Sequence, residues 1–260
     1  MLTLGSLQAG CRMVLMSLFD PHALVGVVES ERASIALGVP TMILAMLDAY
    51  DANPRDVSSL ELVCSGGAMV APELVRRVQR TLGCAVSTVY GQTEYSPLIT
   101  QHHRDDSSDD ICNTVGQPLP QTEVSIHRLA DNRTSNIGEI GEICARGPCV
   151  MLGYHEDAAA SAEAIDGDGW LHTGDLGFMD ARGYVTITGR VKEMIIRGGE
   201  NHFPAEIENV LLEHPSVAEV AVVGLPDESW GEVIAAFVRT EGQALDRDAL
   251  HAHCRASLSP

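Results

Sequence analysis

The sequence predicts an α/β protein with layers of parallel sheet, a β-rich subdomain and a small α+β domain at the C-terminal end. The composition is that of a globular protein, with 45% hydrophobic and 20% charged residues among 260. Strand-like and helix-like segments alternate at first, glycine-rich turns between short strands follow, and an α+β pattern resumes after Lys192. We therefore divide the chain into 1–191, with the β-rich subdomain at about 101–190, and 192–260.

The first part of the chain alternates strands and helices. Asp20 followed by Pro21 is typical of a helix N-terminus, and Gly83 is typical of a helix C-terminus. Repeated β-α-β order favours a parallel sheet with helices on both of its faces. The expected strands are 12–16, 34–40, 60–67 and 85–91, and the expected helices are 21–32, 41–50 and 72–83.

The middle of the chain has a different pattern of residues. Residues 102–110, HHRDDSSDD, predict an exposed and mobile polar loop. Strand-like segments at 122–129, 138–147 and 183–190 then predict the β-rich subdomain, for which a distorted barrel is one arrangement. After Lys192 we expect helices and strands to mix, with helices at 204–215 and 246–258 and strands at 217–226 and 232–240.

Charge and cysteine usage exclude several classes of protein. The net charge is −19, from 17 basic and 36 acidic side chains. Binding to nucleic acid or to an anionic membrane would need a basic face, so we expect neither. The N-terminal segment has no basic region and no uninterrupted apolar run, which predicts no signal peptide and no transmembrane segment. Seven cysteines without a CxxC pair predict a reduced, cytoplasmic protein.

Two glycine-bearing strand ends are candidates for a ligand site. SGGA (65–68) and YGQTE (90–94) each follow an apolar strand. Parallel sheets bind ligands at the carboxyl ends of their strands, where glycines let a ring or a phosphate approach the backbone. Tyr90 offers an aromatic face for a base, Thr93 a hydroxyl for a phosphate and Glu94 a hard oxygen for Mg²⁺. The alternatives are a tight turn for SGGA and an ordinary polar loop for YGQTE.

Two later segments carry charged candidates. Asp175, between glycines in WLHTGDLG, could accept hydrogen bonds from both hydroxyls of a ribose, or it could bond its own turn. Arg190, Lys192 and Arg197 then gather positive charge in a chain with few bases, next to the pair Gly198-Gly199. These bases lie where a linker between domains is expected.

Together these motifs resemble a known superfamily. SGGA, YGQTE, GEICARGPCVMLGY, WLHTGDLG and GRVKEMIIRGGENHFPAEIE have the order and spacing of the AMP-forming adenylating enzymes, which include acyl-CoA synthetases, luciferase and peptide-synthetase adenylation domains. The resemblance covers nearly the whole chain but only about the later half of a usual member. RGGEN followed by FPAEIE is most similar to CoA ligases. The apolar segment 37–47 resembles the acyl pocket of fatty-acyl-CoA synthetases, with core packing as the alternative.

The resemblance implies a two-step reaction: ATP-dependent activation of a carboxylic acid, expected to be a fatty acid, to acyl-AMP, and transfer to coenzyme A, with Mg²⁺ as cofactor. The implied metal ligand is Glu94, and Lys192 would be the hinge before a mobile C-terminal domain. The implied catalytic residues are Thr93, Glu94, Arg190 and Lys192. The implied ATP or AMP contacts are Gly66, Gly67, Ala68, Tyr90, Gly91, Gln92, Thr93, Asp175 and Arg190, and the implied CoA tunnel is lined by Gly198, Gly199 and Glu200.

Two elements of the superfamily are not among the 260 residues: the Ser/Thr/Gly-rich phosphate loop with its lysine, and the late lysine that contacts the reacting carboxylate. We therefore expect a fragment with impaired adenylation and a truncated C-terminal domain. Its expected partner is the missing N-terminal half or a second copy of the chain. Two other interpretations stay open, namely a non-catalytic remnant that binds nucleotide or acyl-adenylate, and an acyl-AMP ligase that loads a carrier protein.

Overall fold

A computed structural model describes residues 2–68, 70–240 and 246–258. The chain divides into unit 1, which contains Met1–Ser125, Cys144–Thr173 and Met179–Thr186, and unit 2, which contains Ile126–Ile143, Gly174–Phe178 and Ile187–Pro260. The helices are α1 (Leu2–Gln8), α2 (Pro21–Glu31), α3 (Pro40–Ala52), α4 (Pro72–Leu82), α5 (Ser108–Asn113), α6 (Ala158–Ala164), α7 (Pro204–Leu212) and α8 (Arg247–Ser257).

The strands assemble into three sheets. Their bounds are β1 (Ile35–Gly38), β2 (Leu62–Gly66), β3 (Ala85–Tyr90), β4 (Thr100–Gln101), β5 (Gln117–Pro118), β6 (Glu123–His127), β7 (Gly141–Arg146), β8 (Leu171–Met179), β9 (Val185–Arg190), β10 (Ile195–Arg197), β11 (Glu200–His202), β12 (Val217–Asp227) and β13 (Gly231–Thr240).

The first sheet, in unit 1, has the order β1-β2-β3-β4-β5. Strands β1, β2 and β3 pair in parallel, so the prediction of a parallel sheet is confirmed, while β4 and β5 are antiparallel additions. The helix boundaries follow local chemistry. The Asp20 carboxylate accepts a hydrogen bond from the Ala23 amide at 2.7 Å and caps α2, and Gly83 ends α4 with a φ of +66°.

The core of unit 1 joins helices α2, α3 and α4 to the first sheet. Met46, Leu47 and Val63 are fully buried in it. Strand β1 alternates, so that Ala36 joins the core while Ile35 and Leu37 remain 57% and 37% exposed. The expected cover of helices on both faces is therefore not found at β1 among the described residues.

The second sheet contains β6, β7, β8 and β9 in chain order. The expectation of a distorted barrel is wrong, because closure requires the first and last strands to pair, and the described order ends at β6 and β9. The third sheet, in unit 2, has the order β11-β10-β13-β12. Ile195, Leu211, Val222 and Leu250 form its core with α7 and α8.

Two other expectations fail in unit 1. Residues 12–16 form no strand, since β1 is the first member of its sheet and Leu15 is 77% exposed; helix α1 precedes this segment instead. The polar segment 102–110 is not simply an exposed loop. His102 is buried, Ser107 caps α5, and Asp110 receives a 2.7 Å hydrogen bond from Arg182, so its polar groups are used in specific contacts.

The described helices are all too short or too polar to span a lipid bilayer.

Candidate functional site

The end of strand β2 carries SGGA beside the neighbouring strand β3. In the parallel register Gly66 lies opposite Val89, and a Cβ at Gly66 would lie 2.5 Å from a Val89 methyl and 2.7 Å from its carbonyl oxygen. Gly67 follows with a φ of +80°, which favours glycine. Local structure thus explains why glycine stands at both positions. Ala68, the next residue, is exposed.

One polar atom at this strand end has no hydrogen-bond partner among the described residues. Ser65 is 2% exposed, and its hydroxyl is buried without a partner. Buried hydroxyls are normally satisfied by protein, water or ligand. The end of β2 therefore carries a buried polar atom whose hydrogen-bonding capacity is unused among the described residues.

The end of strand β3 carries YGQTE. Tyr90 is 8% exposed, so only a small part of its ring can meet a base. A Cβ at Gly91 would lie 2.1 Å from the Pro97 carbonyl oxygen, which requires glycine there. Gln92 precedes the 3₁₀ turn Thr93–Tyr95, in which the Thr93 side chain is exposed. The structure thus brings SGGA and YGQTE together at adjacent strand ends.

A residue that the sequence did not single out contacts Glu94. The Tyr154 hydroxyl donates to Glu94 Oε1 at 2.9 Å, and the Met151 amide donates to the Glu94 carbonyl oxygen at 2.8 Å. The hydrogen bond to Glu94 raises the pKa of Tyr154. Tyr154 ends the quoted motif GEICARGPCVMLGY, but nothing in the sequence indicates a contact across 60 residues.

In unit 2, Asp175 and Arg190 form an ion pair. Arg190 Nε lies 3.1 Å from Asp175 Oδ1, and the Asp175 side chain is 10% exposed whereas that of Arg190 is 66% exposed. Asp175 lies in β8 directly after Gly174, whose amide donates to a Glu142 carboxylate oxygen at 2.9 Å. The resemblance implies nucleotide contacts for both Asp175 and Arg190, and the structure places these two side chains in contact with each other.

The next segment of unit 2 holds the remaining candidates. Lys192 is exposed in the 3₁₀ turn Val191–Glu193. Gly198 and Gly199 connect β10 to β11 with φ values of +62° and +91°, as a two-residue hairpin turn requires. Glu200 begins β11 and is exposed.

Trp230 supports this hairpin, and no motif in the sequence predicts this role. The Arg197 guanidinium carbon lies 4.6 Å from the centroid of the Trp230 ring system, and the Gly198 amide donates to the Trp230 carbonyl oxygen at 2.8 Å. A Cβ at Gly198 would lie 2.8 Å from the ring. The glycine is needed here for packing as well as for its φ.

The predicted acyl-pocket segment 37–47 contains both core residues and exposed residues. Ile43, Met46 and Leu47 belong to the core of unit 1, while Leu44 is 45% exposed. Core packing, the alternative interpretation of 37–47, accounts for these three side chains.

Family models match most of the chain. The description "AMP-binding enzyme" matches residues 1–155, and "AMP-binding enzyme C-terminal domain" matches residues 206–260.

Curated proteins and solved structures agree with these matches. The chain is 42% identical over 252 residues to 3-[(3aS,4S,7aS)-7a-methyl-1,5-dioxo-octahydro-1H-inden-4-yl]propanoyl:CoA ligase of Rhodococcus jostii (strain RHA1), covering 96% of this chain and 47% of that protein. It is 38% identical over 246 residues to medium/long-chain-fatty-acid–CoA ligase FadD8 of Mycobacterium tuberculosis, covering 94% and 42%. o-Succinylbenzoate coenzyme A synthetase (MenE) from Bacillus subtilis, in complex with ATP and magnesium ion, superposes with a TM-score of 0.86 at 30% identity, covering 98% and 52%. The chain spans about half the length of these relatives.

Proposed function

Because this chain belongs to the AMP-binding enzyme family, we propose that it takes part in the ATP-dependent conversion of a carboxylic acid to acyl-AMP and then to acyl-CoA. The observation that carries the proposal is the parallel pairing of β2 with β3. Because the two strands end side by side, the glycine-bearing loops that follow them are neighbours. Ligands of parallel sheets bind at such strand ends. The two curated relatives described above are CoA ligases, which supports coenzyme A as the acceptor.

Two groups of residues are assigned nucleotide contacts, and each group is described within its own unit. In unit 1 we assign the adenine edge to Gly66, Gly67 and Ala68, and the base and phosphate contacts to the loop 90–93. In unit 2 the Asp175 carboxylate would accept hydrogen bonds from the ribose hydroxyls, oriented by Arg190 at 3.1 Å. Charge-assisted hydrogen bonds of this kind are stronger than neutral ones.

The residues present fit a magnesium ion at Glu94. Its Oε1 accepts from Tyr154, whereas Oε2 accepts no hydrogen bond among the described residues. Carboxylate oxygens are the ligands that Mg²⁺ prefers, and the ion would neutralise charge on the phosphates. The solved relative bound to ATP and magnesium supports this assignment.

Lys192 and the hairpin loop Gly198–Glu200 would serve the second step. Lys192 would be the hinge before residues 192–260, and the loop would line the path of the CoA thiol. Hinge motion of this kind lets one site run two reactions in sequence. An apolar acid of medium or long chain is the proposed substrate class, in line with the name of the mycobacterial relative. Cytoplasmic location, and association with an N-terminal half or a second copy of the chain, are further parts of this proposal.

The two half-reactions of the 260-residue chain should differ. The phosphate loop and the late lysine of the superfamily are not among these residues, and both would stabilise charge on the phosphate oxygens. Loss of one preorganised donor typically costs about 10²–10³ in rate. Thioester formation from a supplied acyl-adenylate instead relies on Arg190, Lys192 and the Gly198–Glu200 loop, which are present.

The test offers the chain each half-reaction separately. We expect negligible ATP–pyrophosphate exchange with decanoate but detectable decanoyl-CoA from decanoyl-AMP and CoA. Asp175→Ala should reduce that product at limiting decanoyl-AMP, and Asp180→Ala, which changes a turn aspartate of unit 1, should not. Robust exchange by the wild-type chain would contradict the assignment of adenylation to absent residues. If a folded sample forms no decanoyl-CoA, the result favours the interpretation as a non-catalytic remnant. If decanoyl thioester forms only on a carrier protein, the result favours the carrier-loading ligase.

A further inference from the structure

We propose that Tyr154 is a positioning residue that holds the Glu94 carboxylate for a divalent cation. The inference rests on the proposed role of Glu94 as a metal ligand. The Tyr154 hydroxyl lies 2.9 Å from Glu94 Oε1 and donates to it, and this contact joins two loops that are 60 residues apart in the sequence. Both residues belong to unit 1.

The backbone of Tyr154 is itself fixed by helix α6. The Tyr154 amide donates to Ser161 Oγ at 2.8 Å, and the Ser161 hydroxyl donates to the Asp157 carbonyl oxygen at 2.6 Å. Asp157 also caps α6, because its carboxylate accepts from the Ala160 amide at 2.9 Å. A Cβ at Gly153 would lie 2.9 Å from Ser161 Oγ, so this close approach needs a glycine before Tyr154.

A second contact fixes the backbone of Glu94. The Met151 amide donates to the Glu94 carbonyl oxygen at 2.8 Å. The segment 151–154 thus binds Glu94 twice, once at the main chain and once at the side chain. The two contacts set both the position and the direction of the carboxylate.

The two carboxylate oxygens of Glu94 differ in their hydrogen bonding. Oε1 accepts from Tyr154, and Oε2 makes no hydrogen bond among the described residues. A half-exposed glutamate without such a donor would populate several rotamers and lose entropy on binding a cation. Carboxylates that ligate metals are commonly held by a hydrogen bond of this kind, and removal of the outer partner costs roughly 10–100-fold in metal affinity.

The experiment measures Mn²⁺ binding to the 260-residue chain by electron paramagnetic resonance, which does not depend on turnover. ATP is left out because its phosphates bind Mn²⁺ themselves. We expect Tyr154→Phe to weaken Mn²⁺ binding by roughly 10-fold and Glu94→Gln to weaken it at least as much. Tyr184→Phe is the matched control: it removes a 2.7 Å tyrosine–carboxylate hydrogen bond, to Asp106, elsewhere in unit 1. It should leave Mn²⁺ binding unchanged.

The outcomes separate this inference from the proposed function. If Glu94→Gln abolishes Mn²⁺ binding but Tyr154→Phe binds like the wild type, the positioning role is wrong and the ligand role stands. If neither variant changes Mn²⁺ binding, or the wild type binds no Mn²⁺, the metal role of Glu94 fails and the inference fails with it. Equal weakening by Tyr154→Phe and Tyr184→Phe would show a general effect on the fold and overturn the positioning role.

Discussion

Among single residues, His102 is expected to make the stability of the protein depend on pH. It is 3% exposed, and its ring nitrogens lie 2.6 Å from Thr88 Oγ1 and 2.9 Å from Thr114 Oγ1. Burial lowers the pKa of this imidazole below its ordinary 6.5, although the nearby carboxylates of Asp106 and Asp110 oppose the shift. The folded protein therefore holds His102 neutral at a pH where the unfolded chain binds a proton.

We expect stability to fall on acidification because of His102. The contribution is present in full above pH 6.5 and is lost as the pH falls from 6.5 through the pKa of the folded state, by at most about 1.4 kcal/mol per pH unit. Urea unfolding at pH 7.5 and 5.5 measures this loss. His102→Gln should lower the stability at pH 7.5 but flatten the difference between the two values. An unchanged difference would exclude His102 as its source.

The metal-ligand role of Glu94 could be predicted from the sequence, but its contact with Tyr154 could not. YGQTE could be assigned a metal ligand, because carboxylate chemistry is local and visible in the letters. The donor that holds this ligand lies 60 residues away, and only the folded path of the chain brings the two side chains together. The same applies to Trp230, which supports the glycine turn at 198–199 from the turn between β12 and β13.

At the scale of an element, the end of β2 depends on a glycine for packing against β3. The added Cβ of Gly66→Ala would lie 2.5 Å from a Val89 methyl and 2.7 Å from a backbone oxygen, so β2 and β3 must move apart. We expect a loss of roughly 1–3 kcal/mol in unfolding free energy, the usual cost of overpacking.

The matched control for this change lies in helix α2. A Cβ at Gly26 would meet no atom within 4 Å, and Gly26→Ala should be neutral or stabilise the protein by about 0.5–1 kcal/mol. Both free energies come from urea denaturation at pH 7.5. If Gly66→Ala unfolds at the same urea concentration as the wild type, the close approach of the two strands does not exist in solution.

Elements with local signals were predicted well, and those set by distant partners were not. Asp20 with Pro21 and the glycine at 83 mark helix ends through hydrogen bonds and φ values that depend on a few adjacent residues. The apolar segment 12–16 carries the composition of a strand but has no neighbouring strand to pair with, since β1 is first in its sheet. Strand formation depends on a partner, and an apolar run alone does not supply one.

At the scale of the whole molecule, Lys192 is the only lysine of the chain, and it lies at the predicted boundary between 1–191 and 192–260. Its side chain is exposed. An endoprotease specific for lysine therefore has one site, and we expect native cleavage into residues 1–192 and 193–260, followed by mass spectrometry. Lys192→Arg should resist the enzyme completely. A native chain that is cut no faster than its unfolding rate would contradict an accessible hinge at this position.

The stacking of Arg197 on Trp230 has a spectroscopic consequence. The chain contains two tryptophans, and the other, Trp170, lies in unit 1 with the Arg146 guanidinium carbon 4.4 Å from its ring centroid. Each unit therefore contains one indole fluorophore next to a cation. Replacing Trp170 with phenylalanine leaves Trp230 as the sole tryptophan. When the light is absorbed by tryptophan and not by the five tyrosines, the fluorescence of that variant reports on the hairpin at 198–199.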